Sequence, residues 1–504
     1  MNKSVFLIFF LLFFFSNTSD HTLYAESMQN ESYKQVVISV VLNNRLTVIP
    51  AKIPIVTTYF VSNNGNDNND GLSPVTAWAT ISKVNSEIFL PGDFILFKRG
   101  DTWYEQLVIS SSGDPSGYIT FGAYDSGNKP ILDGNGLILP QNQGLIEIHQ
   151  KKEYIIVKNF RVINAGIGQQ NDSCGINFAF SSNGIIRNCE TYNTEASGIR
   201  AHSSHDIVFD SNDVERACLD SFSESVTISG GTYNFEVKNN IIHHNGHPTK
   251  GGTGIDVKNG SHDGAIHHNE IYGLQGVAGI YADAYMNHTY NIEIHGNYIH
   301  DSINRTGSGI SLSSEQGGLL RNIKVHHNII VNIITGINMH PGRAGLVDPV
   351  KDIFIYNNTI YNCGPISPAF QGGIVLRNPD STNIHIKNNI FSQNVGFQIG
   401  FSNVDGTIPV SQFHINTNVL DGDINTVFVE AINGISGYNP ILASPQFINN
   451  SNLRLQTDSP AKNTCDNSVW EGTPNISDYD GIPITDRNGN IVAPGGIVSC
   501  GAYE

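Results

Sequence analysis

Charge is scarce in this sequence and unbalanced in sign. Only 14% of its 504 residues are Asp, Glu, Lys or Arg, and 45 acids against 28 bases leave a formal net charge of −17. Nucleic acids and anionic membranes require basic patches, so neither is an expected partner. Helical periodicity is missing too: apolar residues recur every second position, which excludes the helical repeat folds. No spacing of Cys and His suits a tetrahedral zinc. Long apolar runs are limited to one, Val5 to Phe15, too short to span a bilayer. With Lys3 before it and Leu23-Tyr24-Ala25 after a polar stretch, it reads as a secretory signal peptide over residues 1–25, cut near Ala25. The mature chain is therefore expected to be secreted, or periplasmic, with no membrane span. Cysteine is sparse at six residues, and export permits disulfides. Cys465 and Cys500, both near the C-terminus, are the favoured pair, while Cys174, Cys189, Cys218 and Cys363 stay open between disulfides and buried thiols.

What the chain has in quantity is a repeat. Gly-Ile recurs at Gly175-Ile176, Gly198-Ile199, Gly254-Ile255, Gly279-Ile280, Gly309-Ile310, Gly336-Ile337 and Gly373-Ile374, each opening a strand-like alternation. A second pattern follows each one: apolar, x, apolar, x, x, Asn, x, apolar. Its Asn falls at Asn212, Asn240, Asn269, Asn297, Asn328, Asn358, Asn389 and Asn418, with Phe160 and Cys189 in the same column before them, at intervals of 23 to 31 residues. Such a period marks a solenoid, propeller or array, and two or three short strands per cycle are too few for a propeller blade. The expected fold is all-β: a right-handed parallel β-helix of ten or more coils, each residue about 4.8 Å from its counterpart one turn away. An Asn at each corner tolerates left-handed backbone and can bond its neighbours above and below as a ladder.

Around this core the chain divides into a leader and cap at 26–93, with one strand expected at Gln35 to Leu42, coils at 94–420, and a closing segment at 421–504. The run from Tyr59 to Val84, YFVSNNGNDNNDGLSPVTAWATISKV, resembles the N-terminal end of secreted right-handed β-helix proteins of the pectate-lyase-like superfamily. There a strand, an Asn/Asp/Gly loop and a short helix cover the first coil. A cap is needed on physical grounds as well, because an open solenoid end exposes apolar core and strand edge. Asn66 to Asp70 is open between a Ca²⁺ loop and plain turn chemistry. The segment from Ser444-Pro445-Gln446-Phe447 to Gly501-Ala502-Tyr503-Glu504 is similar to the closing segment of the same class.

In a strand beginning Gly-Ile the Ile points inward, so the residues one and three beyond it point out. Stacking the seven strands, with Cys218-Leu219 as an eighth member, gives a first outward column of Asn177, Arg200, Asp220, Asp256, Tyr281, Ser311, Asn338 and Val375. The second holds Ala179, His202, Phe222, Lys258, Asp283, Ser313, His340 and Arg377, and Glu315 extends the same face. A charge-poor chain thus gathers its ionisable residues on one face of one sheet, as a polysaccharide groove would.

Two chemistries compete for that face. The β-helix lyases that this arrangement resembles imply β-elimination from a uronate chain. Lys258 would then be the base, Asp256 and Asp283 possible Ca²⁺ ligands with Glu315 beside them, and Arg200 or Arg377 the substrate clamps; oxygen-only ligands suit Ca²⁺. Hydrolysis needs instead two carboxylates, and Asp283 and Glu315 have backbones roughly 8 Å apart by strand spacing and rise. The adjacent Asp-Asp pair of polygalacturonase-like hydrolases is absent. Asp220, Tyr281, His202, His262 and His340 complete the expected sugar contacts. Elimination is favoured slightly, with hydrolysis and glycan binding without catalysis as alternatives, in a chain expected to act as a monomer.

Overall fold

The computed structural model describes residues 23–30, 33–42, 45–54, 56–219, 223–246, 252–302, 307–342, 346–364, 371–422, 439–466 and 497–502. Residues 1–22, most of the expected signal peptide, lie outside them. Three long parallel sheets form a β-helix. An eleven-stranded sheet runs from Leu107–Ile109 to Ile399–Phe401, and two of thirteen strands run from Thr58–Val61 to Phe413–Asn416 and from Thr102–Trp103 to Ile441–Leu442. From Phe94–Lys98 to Val419–Asp421 each strand pairs with the one three strands on in sequence, as a coil with three sides requires. The repeated inward Ile residues, such as Ile255, Ile280, Ile310 and Ile337, have no solvent exposure and stack into one continuous core.

The Asn column is a ladder from Asn212 to Asn418. Each side-chain Nδ2 donates to the Oδ1 of the next Asn at 2.9 Å, through seven successive steps. The left-handed backbone expected at these Asn residues sits one position earlier instead, at Asn239, His268, His327, Asn357 and Asn388, with φ between 52° and 60°. The corner is turned by the preceding residue, and the Asn tucks inward beneath it. This also explains the His-His pairs. In His267-His268 and His326-His327 the second His has the positive φ, so the two rings stand at 86° and 90°.

Before the coils, Leu23–Asn30, Tyr33–Leu42 and Arg45–Pro54 form a three-stranded antiparallel sheet, and the strand expected from Gln35 falls in its middle member. In the cap, the helix Ile81–Ser86 is opened by the Thr80 side chain, which accepts from the Lys83 N–H at 3.0 Å. Trp78, Ile81 and Val84 cover the first coil. The Asp67 carboxylate accepts from the Ala79 and Thr80 N–H groups and the Thr80 hydroxyl. Asn66 and Asp70 accept from backbone N–H groups two residues on, so the loop's oxygens close its own turns.

At the other end Cys465 and Cys500 are bonded, and the other four cysteines are buried free thiols. The closing segment is tied to the coils by the Asn357 Nδ2 donating to the Ser499 carbonyl and by the Gly501 N–H donating to the Asn388 carbonyl. Among the described residues no helix is long and apolar enough to cross a membrane.

Candidate functional site

The two outward columns exist, on the eleven-stranded sheet. Register pairs Asn177, Arg200, Thr227, Asp256, Tyr281, Ser311, Asn338 and Val375 in the first. In the second, Ala179, His202 and Ser229 are paired, then Lys258, Asp283, Ser313 and His340.

One rung differs from the sequence reading. The coil assigned to Cys218-Leu219 is filled by the strand Glu224–Ser229, with Thr227 and Ser229 facing outward. Cys218 is buried with φ 61°, in the turn leading to that strand. Asp220 and Phe222 lie outside the described residues, and Thr227 and Ser229 hold the two outward positions of this coil. Cys-Leu imitates Gly-Ile in apolarity alone, whereas Val226-Thr227-Ile228 carries the true alternation, with Ser225 in the place of Gly. The corrected register brings in a residue that the sequence reading missed. The Glu224 Oε1 accepts from the Lys258 Nζ at 2.5 Å, and its Oε2 accepts from the Thr227 hydroxyl at 2.9 Å. The signal for it was the Val-x-Ile alternation immediately after it.

Four carboxyl groups and one ammonium make the floor. Lys258 Nζ lies 3.5 Å from Asp256 Oδ2 as well as against Glu224. Asp256 and Asp283 are buried, and the Oδ1 of each has no hydrogen-bond partner. Burial raises both aspartates well above the ordinary carboxylate range, and for Asp283 the neighbouring Asp256 and Glu315 push the same way. Burial alone would pull the Lys258 ammonium down, but Asp256 and Glu224 outweigh it and hold its pKa above the ordinary lysine range. The Tyr281 hydroxyl donates to Glu315 and, being buried beside Asp283 and Glu315, stays protonated.

Glu315 follows the strand Ser308–Ser314 and depends on a close backbone approach: a Cβ at Gly342 would lie 2.2 Å from the Glu315 Cα. His340 donates through Nδ1 to the Pro341 carbonyl at 3.0 Å, which leaves Nε2 to accept from the Ser311 hydroxyl at 2.9 Å. Burial lowers the pKa of His340, and likewise that of His202, whose Nδ1 meets the Ser229 hydroxyl at 3.0 Å. Both imidazoles are neutral polar contacts.

Two adjoining cavities lie over this floor. One of about 540 Å³ is lined by Asp256, Lys258, Tyr281, Asp283, Glu315 and His340 among others. The next, of about 460 Å³, reaches Asn177 and Arg200, and the two share His202, Glu224, Ser229 and Lys258. They form one groove along the solenoid axis.

Three further expected contacts fare differently. Arg200 lines the groove, but its guanidinium is engaged by the Asn177 Oδ1 at 3.0 Å and by the Asp172 and Asn142 carbonyls. Arg377 stands one residue past the strand Gly372–Leu376, bonded to Asp405 at 2.6 Å, and lines neither cavity. His262 is on a different sheet, because the turn through Asn259 and Gly260, both with positive φ, carries the chain round the corner. There its ring stacks between Tyr233 and Tyr290, at 5.2 and 4.6 Å.

A family profile described as a right handed beta helix region matches residues 174–347. No curated protein matches the sequence. Among solved structures, the complex of XylC with xylose is 13% identical with a TM-score of 0.50, covering 76% of this chain and 84% of that one. Pectate lyase Pel9A is 17% identical with a TM-score of 0.48, covering 88% and 98%. A PL6 family polysaccharide lyase from Pseudopedobacter saltans is 15% identical with a TM-score of 0.40, covering 77% and 97%. These likenesses concern the fold. The chain is a right-handed parallel β-helix, the fold that the matched profile describes.

Proposed function

We propose that this chain is an exported carbohydrate-active enzyme that hydrolyses a glycosidic bond in the groove, with Asp283 as proton donor and Glu315 as its partner carboxylate. The observation that carries this reading is the Asp283 carboxyl group, buried on the groove floor with one oxygen unpaired and with Asp256 and Glu315 as neighbours. Burial and like charges keep a proton on it at neutral pH, as a general acid requires. Asp283 gives that proton to the leaving glycosidic oxygen as the bond to the anomeric carbon breaks. Glu315, oriented by the Tyr281 hydroxyl, takes a proton from the water whose oxygen bonds to that carbon. The backbone spacing of Asp283 and Glu315, roughly 8 Å by strand spacing and rise, is compatible with the carboxyl separation of an inverting pair. Lys258 is held as an ammonium by Glu224 and Asp256, which makes it a charge anchor rather than a base.

The test is incubation with acidic and neutral polysaccharides. New reducing ends without the ultraviolet absorbance of an unsaturated uronide, lost in Asp283→Asn, support hydrolysis. That absorbance overturns it in favour of elimination, and neither product leaves a glycan-binding protein.

Elimination keeps one specific support. The Oδ1 atoms of Asp256 and Asp283, both without a hydrogen-bond partner, are the oxygens a Ca²⁺ would draw on. A cation there would supply charge neutralisation for a uronate, and a chelator-sensitive rate restored by Ca²⁺ is its signature. Export predicts a mature N-terminus near residue 26, read by N-terminal sequencing of protein recovered outside the cytoplasm.

A further inference from the structure

We propose that the groove selects a neutral, hydroxyl-rich glycan and rejects polyuronates, a specificity that rests on the hydrolytic reading above. The floor has one ammonium, Lys258, among Glu224, Asp256, Asp283 and Glu315. Even with protons on both aspartates, a single positive charge faces two glutamates. A uronate carboxylate laid on this floor would approach like charge in a partly desolvated cleft, where repulsion is strongest.

The cations that could offset this already have partners. Lys258 is bonded to Glu224, the Arg200 guanidinium is turned into Asn177 and two backbone carbonyls, and Arg377 is paired with Asp405 outside the cavities. A bidentate clamp needs two N–H groups on one edge of the guanidinium, and Arg200 already directs Nε, Nη1 and Nη2 each to a protein oxygen while Arg377 is held by Asp405. What the walls offer instead is neutral: His202 and His340 held uncharged by burial, Ser229, and the Tyr285 ring. Such groups exchange hydrogen bonds with sugar hydroxyls without a charge partner. From Asn177 to His340 the floor crosses seven strands, a length on the order of 29 Å at about 4.8 Å per strand. That is a track for several sugar units in line.

The test is affinity electrophoresis of the full chain carrying Asp283→Asn, in gels containing neutral polysaccharides (xylan, β-glucan, galactomannan) or polyuronates (polygalacturonate, alginate), each with and without Ca²⁺. At least one neutral polymer should retard the protein with an affinity tenfold or more above either polyuronate, and the gap should narrow as salt screens the repulsion. Equal or tighter binding of a polyuronate, with or without Ca²⁺, overturns the proposal, as does failure of every neutral polymer to bind. Wild-type protein run on ice repeats the comparison should the variant fold poorly. Products are scored separately on wild type. Neutral binding without new reducing ends would remove hydrolysis and keep the specificity, whereas saturated products from a polyuronate would remove the specificity and keep hydrolysis.

Discussion

The Lys258 ammonium and the Glu224 carboxylate, 34 residues apart in sequence, meet at 2.5 Å on the groove floor, with Asp256 3.5 Å away on the other side. The bridge is mostly enclosed, with side-chain exposures of 28% and 10%. Breaking one partner of such a pair strands the other's charge. Lys258→Met should therefore destabilise the protein by about 3 kcal/mol, the low end for a buried pair because the lysine is a quarter exposed. Adding Glu224→Gln should recover part of that loss. Denaturant unfolding of both single variants and the double variant checks it; strictly additive losses would mean the bridge carries no coupling.

Asp283 makes stability depend on pH in a fixed direction. Its folded pKa is raised by burial above the unfolded value of about 3.9, so the folded chain binds the proton more tightly. Stability is thus fully present below about pH 4 and is lost as pH rises toward the folded pKa. Asp283→Asn removes this dependence. Its melting temperature should match wild type near pH 4 and exceed it at pH 8, while turnover is abolished. A wild-type melt that instead rises between those pH values, relative to the variant, contradicts the protonated Asp283.

Gly342 lets the chain pass against Glu315. A methyl group there would lie 2.2 Å from the Glu315 Cα and must push the glutamate away. Since misplacement of a reacting group by about 1 Å costs on the order of 100-fold, Gly342→Ala should lower kcat by about 10- to 100-fold with a smaller change in KM. Circular dichroism should show the β-helix intact.

The Asn ladder holds the coils together at one corner. Asn297 donates to the Ile266 carbonyl and the Asn328 Oδ1, and accepts from both the backbone N–H and the Nδ2 of Asn269. Asn297→Ala would strand the buried Asn269 N–H and remove one bond each from the Ile266 carbonyl, the Asn269 Nδ2 and the Asn328 Oδ1, the last two keeping the Val237 carbonyl and the residue 297 N–H. At about 1–3 kcal/mol for a stranded buried group, a loss of about 3 kcal/mol is expected by thermal or denaturant unfolding. Groove chemistry at low temperature should be unaffected, since the ladder is on the corner between the two thirteen-stranded sheets.

Much of the site was legible because strand alternation is local. Once Ile255 and Ile280 face the core, Asp256, Lys258, Tyr281 and Asp283 must face out, and every later coil repeats the angle. The rung assigned to Cys218-Leu219 failed where the local signal was weakest: a Cys-Leu pair stood in for Gly-Ile, and the strand of that coil is Glu224–Ser229, several residues on. His262 failed because three turn residues carried it round a corner that the pattern did not mark.

The sequence alone determined the β-helix, the column of Asn residues and the face on which the charges gather, because all three follow from short-range periodicity repeated coil after coil. Only the tertiary structure decided which charges are free to act. Glu224 takes Lys258 from the coil above, Asn177 takes Arg200, and Asp405 takes Arg377. These pairings join residues 23 to 34 positions apart through side-chain reach and burial, neither of which is written in the alternation of the strands.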